Sequence, residues 1–278
     1  MRQTNKTMNV LSLFDGMSCG QIALNQLGIK VDNYFASEID VPAITVTNAN
    51  YPNTKQLGDV TKVSAKDLPK IDLLIGGSPC QGFSFAGKQL NFDDERSVLF
   101  FEFVRLLKET KPKYFLLENV YMKKEWQDVI SKELGVEPIE IDSNLITGAN
   151  RRRLYWTNIP NVTIPEKNDS KLADVLESGQ VDTDKSYCID ANYGKGSNLR
   201  TYFVKSRRQI VFDQIEGKKQ GIWNDLYYRY RLLSPIECER LHGVPDNYTN
   251  HVSRTNRYHM LGNGWSVQVI KHIFKNIK

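Results

Sequence analysis

Two short stretches of this chain carry residue types that can do chemistry. Ser78-Pro79-Cys80-Gln81 puts a thiol directly after an apolar run, 71–75, and two glycines, and Glu118-Asn119-Val120 puts a carboxylate after the apolar run 114–117. A buried strand that ends in glycine or proline delivers its next residues to the crevice beyond the carboxyl ends of the strands, where open α/β sheets bind ligands. Two strand tips thus offer a thiol and a carboxylate, and Cys80 in that position reads as a nucleophile. Each residue also has a plainer reading. A free cysteine most often fills a small core position, and a glutamate after a strand is most often a loop acid or a cap.

The elements around these stretches alternate as βα units do. Residues 8–14 read as a first strand, 21–27 as a helix closed by Gly28, 34–37 as a second strand and 42–50 as a helix with proline near its start. The run 71–75 reads as a central strand. Residues 97–109 place Leu99, Phe103, Leu106 and Leu107 on one helical face that Lys111-Pro112 ends. A strand at 114–117, a helix near 126–134 and a strand near 137–141 follow. From 158 to 258 the composition shifts towards Asn, Lys, Asp, Gly and Tyr, with short strand-like pieces and little helical periodicity. Within that stretch 234–241 reads as a helix with a Ser-x-x-Glu capping box. Residues 266–277 read as a terminal helix carrying Val269, Ile273 and Ile277 on one face. The expected architecture is α/β: a catalytic and cofactor-binding domain, 1–157, completed by 259–278, and a smaller domain, 158–258.

Composition narrows the function classes. With 278 residues, 40% of them hydrophobic, the chain can bury a sizeable core, and a net charge of +5 permits a polyanionic partner without requiring one. The four cysteines, at 19, 80, 188 and 238, form no C-x-x-C pair, which argues against a zinc site and a disulfide framework and for a reducing compartment. No uncharged apolar stretch approaches the length of a membrane span. A cytoplasmic protein with no metal and no membrane partner is expected.

A ligand pocket is legible beside the first strand. Phe14-Asp15-Gly16-Met17-Ser18-Cys19-Gly20 joins that strand to its helix, where small residues let backbone approach a ligand. The turn lacks the G-x-G-x-x-G and Walker spacings, so a dinucleotide or nucleoside triphosphate is not favoured. Glu38, at the end of the second strand, can accept hydrogen bonds from both ribose hydroxyls of an adenosine and repels a phosphate at that point. Asp59 can accept from an adenine amino group. An adenosine ligand without a pyrophosphate follows, of which S-adenosyl-L-methionine is the common example. Further on, 191–212 carries Lys195, Arg200, Lys205, Arg207 and Arg208 and no acid, interleaved with Tyr193, Tyr202 and Phe203. Such a pattern suits a phosphate backbone and unstacked bases, and equally a solvated loop.

These residues resemble, in order, the motif set of the DNA cytosine-5 methyltransferases. The match runs through Phe14-x-Gly16, Glu38, Asp59, Pro79-Cys80-Gln81, Glu118-Asn119-Val120, Arg151-Arg152-Arg153, Arg231-x-Leu233-Ser234-x-x-Glu237-x-x-Arg240-Leu241-x-Gly243-x-Pro245 and Gly262-Asn263. Gly82-Phe83-Ser84-Phe85-Ala86-Gly87-Lys88-Gln89 is similar to the mobile active-site loop of bacterial members, and Gly264-Trp265-Ser266-Val267 to the vertebrate de novo members. The chain departs from the pattern at Ser18 and Cys19, where many bacterial members have glycine, and at Gly264, where serine is frequent. A short segment between the arginine triplet and Arg231 implies brief target recognition.

The resemblance implies a Rossmann-like S-adenosylmethionine-dependent methyltransferase sheet with helices on both faces, plus a small target-recognition domain. It implies Cys80 adding to carbon 6 of a flipped-out cytosine in double-stranded DNA. Glu118 would carry or share a proton with ring nitrogen 3, and Arg153, with Arg151 nearby, would hold the base oxygen and orient Glu118. Arg152 is expected as a solvated turn residue. Implied cofactor contacts are Phe14, Asp15, Gly16, Met17, Glu38, Ile39, Asp59, Val60, Pro79, Asn263 and Trp265. Implied DNA contacts are Gln81, Ser84 and Lys88, together with the basic residues of 191–212. A monomer on DNA is expected, and three roles stay open: partner of a restriction endonuclease acting on the same site without stable contact, solitary enzyme, or phage self-protection. Two other readings remain open: an RNA (tRNA) cytosine-5 methyltransferase, against which the missing Cys-Phe-Thr tripeptide argues, and a catalytically silent DNA-binding homologue.

Overall fold

The computed structural model describes residues 7–78 and 95–278, so Pro79, Cys80, Gln81, Ser84 and Lys88 lie outside the described residues. The chain divides into two compact units. One comprises Met1–Ile141, Arg152–Ile164 and Ile270–Lys278, the other Asp142–Arg151 and Pro165–Val269.

The first unit contains β1 (Met8–Leu13), α1 (Cys19–Gln26), β2 (Val31–Ser37), α2 (Val41–Asn50), β3 (Lys55–Gln56), β4 (Leu73–Gly76), α3 (Glu95–Thr110), β5 (Tyr114–Val120), α4 (Lys124–Leu134), β6 (Ile139–Asp142) and β7 (Arg152–Thr157). The strands form one sheet in the order β3-β2-β1-β4-β5-β7-β6. Strands β1 to β5 pair in parallel, and β7 runs antiparallel to β5. The chain works outward from β1 in one direction and then returns to its other side at β4, so the switch point lies between β1 and β4, whose tips Leu13 and Gly76 are partners. Ligands bind at such a point in open α/β sheets.

The apolar runs become strands because both faces of a parallel sheet are covered. Leu73, Leu74 and Ile75 are fully buried, as are Leu116 and Leu117. Helix α3 turns Phe100, Phe103, Val104 and Leu106 into the core, while Leu99 and Leu107 lie at its margin. Gly76 is where this packing is tightest. A Cβ there would meet the Phe103 ring at 2.9 Å and the Leu13 carbonyl at 3.1 Å, so only glycine lets β1, β4 and α3 close up at the switch point.

The second unit holds α5 (Leu199–Lys205), an antiparallel sheet of β8 (Ile210–Phe212), β9 (Lys219–Trp223) and β10 (Leu226–Leu232) in the order β8-β10-β9, then α6 (Pro235–His242) and α7 (Arg254–Asn263). Its small core gathers Leu199, Tyr202, Ile210 and Tyr230, with Phe203, Phe212, Trp223 and Tyr228 packed against them. The expected capping box is present. Ser234 Oγ accepts from Glu237 N at 3.1 Å, and a Glu237 carboxylate oxygen accepts from Ser234 N at 2.7 Å. The last helix, α8 (Val267–Phe274), begins in the second unit and ends in the first, three residues short of Ile277. Within the first unit the His272 ring contacts the Thr163 carbonyl at 2.7 Å, and Lys113 Nζ donates to the Lys278 carbonyl at 2.8 Å.

Candidate active site

The β5–β7 register decides which arginine meets Glu118. Glu118 pairs with Tyr155 and Val120 with Arg153, so alternation along the strands puts Glu118, Tyr155 and Arg153 on one face. The other face carries Leu117, Leu154 and Trp156 into the core. Arg153 is therefore the diagonal neighbour of Glu118, and its Nε lies 3.0 Å from Glu118 Oε1. Both side chains are nearly withdrawn from water, at 15% and 10% exposure, so the ion pair acts in a low-dielectric setting. The adjacent β4 tip is tied to this one: Asn119 Nδ2 donates to Ser78 Oγ at 3.2 Å, with both residues buried. In sequence, Cys80 follows Ser78 by two residues.

The other two arginines go elsewhere. Arg151 lies beyond the start of β7, and its guanidinium donates to the carbonyls of Ile189 (3.3 Å), Gly262 (3.1 Å) and Gly264 (2.6 Å). It is buried within the second unit, where it fastens the turn that carries Asn263 and Trp265. Gly262 approaches the Asp190–Ala191 peptide too closely for any Cβ. Asn263 is exposed and Trp265 half-buried. Arg152 is exposed, yet it is more than a solvated turn residue. It opens β7, forms a two-point ion pair with Glu140 (Nη2 to Oε2, 2.8 Å) and places its guanidinium 3.9 Å from the centre of the Tyr121 ring.

The loop after β1 takes an unusual backbone course. Phe14, Gly16 and Ser18 all have positive φ, at 56°, 56° and 61°, so three left-handed residues alternate across five positions. Such a turn needs support, and buried hydroxyls give it. The Asp15 carboxyl accepts from the Tyr34 hydroxyl at 2.8 Å and from Ser18 Oγ, while Thr47 of α2 bonds Ser18 Oγ at 3.2 Å. Glu38 leaves β2 with its carboxylate turned to the same loop, accepting from Gly16 N at 2.7 Å, Ile39 N at 2.8 Å and Asp40 N at 2.9 Å. Beside it Ile39 and Val41 are 74% and 70% exposed, an apolar ledge next to an acid. Met17 and Val60 are buried. Asp59 begins a short 3₁₀ turn, and its Oδ1 accepts from Thr61 N at 3.0 Å and Thr61 Oγ1 at 2.9 Å; these bonds lower its pKa. The loop, the acid and the apolar ledge fit an adenosine group, with Glu38 available to the ribose hydroxyls and Ile39 to a flat ring.

Burial pushes the Asp15 carboxyl up from 3.8 to about 6, against the opposing bonds from Ser12, Ser18 and Tyr34. A carboxyl raised on folding contributes fully to stability below its unfolded value, and that contribution is lost as pH rises through about 6. Asp15→Asn removes this dependence. Between pH 4 and pH 7 the variant should gain about 1–3 kcal/mol on the parent in urea unfolding. A difference that does not move with pH would contradict the assignment.

The basic stretch 191–212 is built differently from its appearance in sequence. Tyr193 and Tyr202 are buried, and Phe203 stacks on Trp223 with ring centres 5.4 Å apart, so these aromatics are core residues and not a platform for bases. The tyrosine hydroxyls are satisfied inside: Tyr193 Oη donates to the Gln209 carbonyl at 2.6 Å and accepts from Leu233 N at 2.9 Å. Lys195, Arg200 and Lys205 are exposed. Arg207 is exposed and paired with Asp190 at 3.2 Å, and Arg208 donates to the Gly196 carbonyl at 2.7 Å. No helix among the described residues is long and apolar enough to cross a membrane.

Comparison with known proteins places this arrangement. The chain is 32% identical to the Type II methyltransferase M1.ScrFI of Lactococcus lactis subsp. cremoris, over 98% of this chain and 78% of that protein. It is 36% identical to the orphan methyltransferase M.SPRI of Bacillus phage SPR, over 62% of this chain and 43% of the other. Among solved structures, the Entamoeba histolytica methyltransferase EhMeth superposes with a TM-score of 0.76 at 18% identity, covering 98% of this chain and 99% of its own. A putative DNA modification methyltransferase encoded within an Escherichia coli prophage gives 0.68 at 23% identity, covering 98% of each chain. These two show the same fold. The sequence pattern of the C-5 cytosine-specific DNA methylases matches residues 8–133 and 141–278, and the chain belongs to that family.

Proposed function

We propose that this enzyme moves a methyl group from S-adenosyl-L-methionine to carbon 5 of a cytosine flipped out of a short double-stranded DNA sequence, through a transient bond between Cys80 and carbon 6. The observation that carries the reading is the buried Glu118–Arg153 pair at the tip of β5, beside the Ser78–Asn119 bridge. Carbon 5 of cytosine is a poor nucleophile, and addition of a thiolate at carbon 6 pushes electrons towards it. As charge develops on the ring, a proton held between Glu118 and ring nitrogen 3 stabilises it, and Arg153 fixes the Glu118 carboxyl in place. The bound cofactor supplies an electrophilic methyl group next to carbon 5. Loss of the carbon 5 proton then expels the Cys80 sulfur and restores the aromatic ring.

The reacting carbons are hidden in a base stack, so flipping is required and costs a few kcal/mol. In this reading Gly16, Glu38, Ile39 and Asp59 hold the adenosine. Met17, Val60 and Pro79 complete the cofactor site, while Gln81, Ser84, Lys88 and the exposed lysines and arginines of 191–212 contact DNA. Residues 158–258 serve target recognition, and the enzyme works in the cytoplasm as a monomer on DNA, with no metal. Bisulfite sequencing of duplex DNA incubated with the protein and the methyl donor tests the activity. Protected cytosines in one recurring short context are expected. Uniform conversion of all cytosines, or methyl transfer to tRNA alone, would overturn the proposal.

A further inference from the structure

Three large apolar side chains of the second unit are exposed on one hairpin. Ile222, Leu226 and Tyr227 are 71%, 60% and 58% exposed. Strands β9 and β10 pair from Lys219↔Tyr230 to Trp223↔Leu226, leaving the two-residue loop Asn224-Asp225. Both loop residues have positive φ, at 48° and 62°, which is a tight turn whose twist matches that of its strands. One face of the hairpin is anchored, since Trp223 and Tyr228 pack on Phe203 with ring centres 5.4 and 5.6 Å apart. The other face presents the cross-strand pairs Ile222↔Tyr227 and Gln220↔Arg229. Between 217 and 230 the basic residues Lys218, Lys219 and Arg229 stand against a single acid, Asp225 at the tip.

A rigid, positively charged two-stranded ribbon with an open outer face matches one recognition mode closely. The DNA major groove, roughly 12 Å wide, admits a β-ribbon, and its base edges are read by amides, carboxylates and apolar groups at thymine methyls. We infer that the β9–β10 hairpin is the sequence-reading element of this enzyme. Its outer face and tip enter the major groove, where Asn224 and Asp225 meet base edges, Ile222 and Tyr227 meet thymine methyls, and the flanking Lys218 meets a phosphate, while Lys219 Nζ is held by the Ser197 carbonyl at 2.9 Å. This rests on the DNA-methylating function proposed above. It also shifts base reading away from 191–212, whose aromatic residues are buried or stacked in the core.

The test methylates a randomised duplex library and reads every cytosine context by bisulfite sequencing, for the parent, for Ile222→Ala with Tyr227→Ala, and for Asn224→Gly with Asp225→Gly, which keeps the turn. All four side chains are exposed, so both variants should melt like the parent. Discrimination should fall about tenfold or more at one or two base pairs near the methylated cytosine. Photo-crosslinking of the parent to duplex containing 5-iodouracil gives a readout free of mutation, with attachment expected within 219–228. Unchanged context preference in both variants, crosslinks confined to other segments, or a dimer built through the open edge of β9 would each overturn the inference. A parent that methylates no DNA sinks the function and the hairpin together, whereas a parent that methylates while both variants keep its preference sinks the hairpin alone.

Discussion

Cys80→Ser should lower methyl transfer by at least about 10³-fold while leaving duplex binding close to that of the parent. The substitution exchanges a group that ionises near neutral pH for one that does not, and it barely changes volume. Single-turnover transfer of a labelled methyl group and fluorescence anisotropy with a labelled duplex separate the two quantities. Retention of a tenth of the parent rate would remove Cys80 from the chemistry.

Glu118→Gln is expected to slow the single-turnover rate by about 10²–10⁴-fold, the usual span for losing a positioned acid or base. The amide keeps the shape of the carboxyl, so binding of cofactor and DNA should change little. Arg153→Gln should act through the same ring position, and it also strands a buried carboxylate whose ion-pair partner is 3.0 Å away. A stability loss of about 3–5 kcal/mol accompanies the breaking of such a pair. The double variant should recover part of that loss and should be no slower than Glu118→Gln by more than about tenfold, since residues that act as a unit are not additive. Chemical denaturation and rapid-quench kinetics on all three variants provide the check. Independent, fully additive rate effects would mean that Arg153 does not act through Glu118.

The parallel half of the sheet was legible in the sequence because strands buried on both faces are short apolar runs punctuated by glycine and proline. That rule locates the tips of β1, β4 and β5, and with them the glycine loop and Glu118. It does not reveal β7. Arg152-Arg153-Leu154-Tyr155-Trp156-Thr157 begins with two charges and becomes a strand by pairing between β6 and β5, the latter some thirty-five residues earlier, so its identity is a long-range property. The choice of Arg153 over its neighbours depends on that register, which no local pattern contains.

Other differences have similar causes. Helix α1 begins at Cys19 and not at Gln21, because Ser18 takes a left-handed conformation with its hydroxyl tied to Asp15. The Asn224-Asp225 turn lacks the glycine that usually marks a two-residue hairpin, so β9 and β10 merge in sequence into one polar, aromatic stretch. Tyrosines among arginines look alike whether they face bases or a core. Only the partners of their hydroxyls tell the two apart, and for Tyr193 those partners are the Gln209 carbonyl and the Leu233 amide.

The most direct measurement uses a duplex in which fluorine replaces the hydrogen on carbon 5 of the target cytosine. Fluorine cannot leave as a proton does, so the sulfur–carbon bond formed on the way to product persists after methyl transfer. Incubation with the methyl donor, followed by proteolysis and mass spectrometry, should find the oligonucleotide attached to Cys80, and Cys80→Ser should yield no attachment. Absence of a covalent product while the donor is demonstrably bound, or attachment at Cys19, Cys188 or Cys238 instead, would contradict the account.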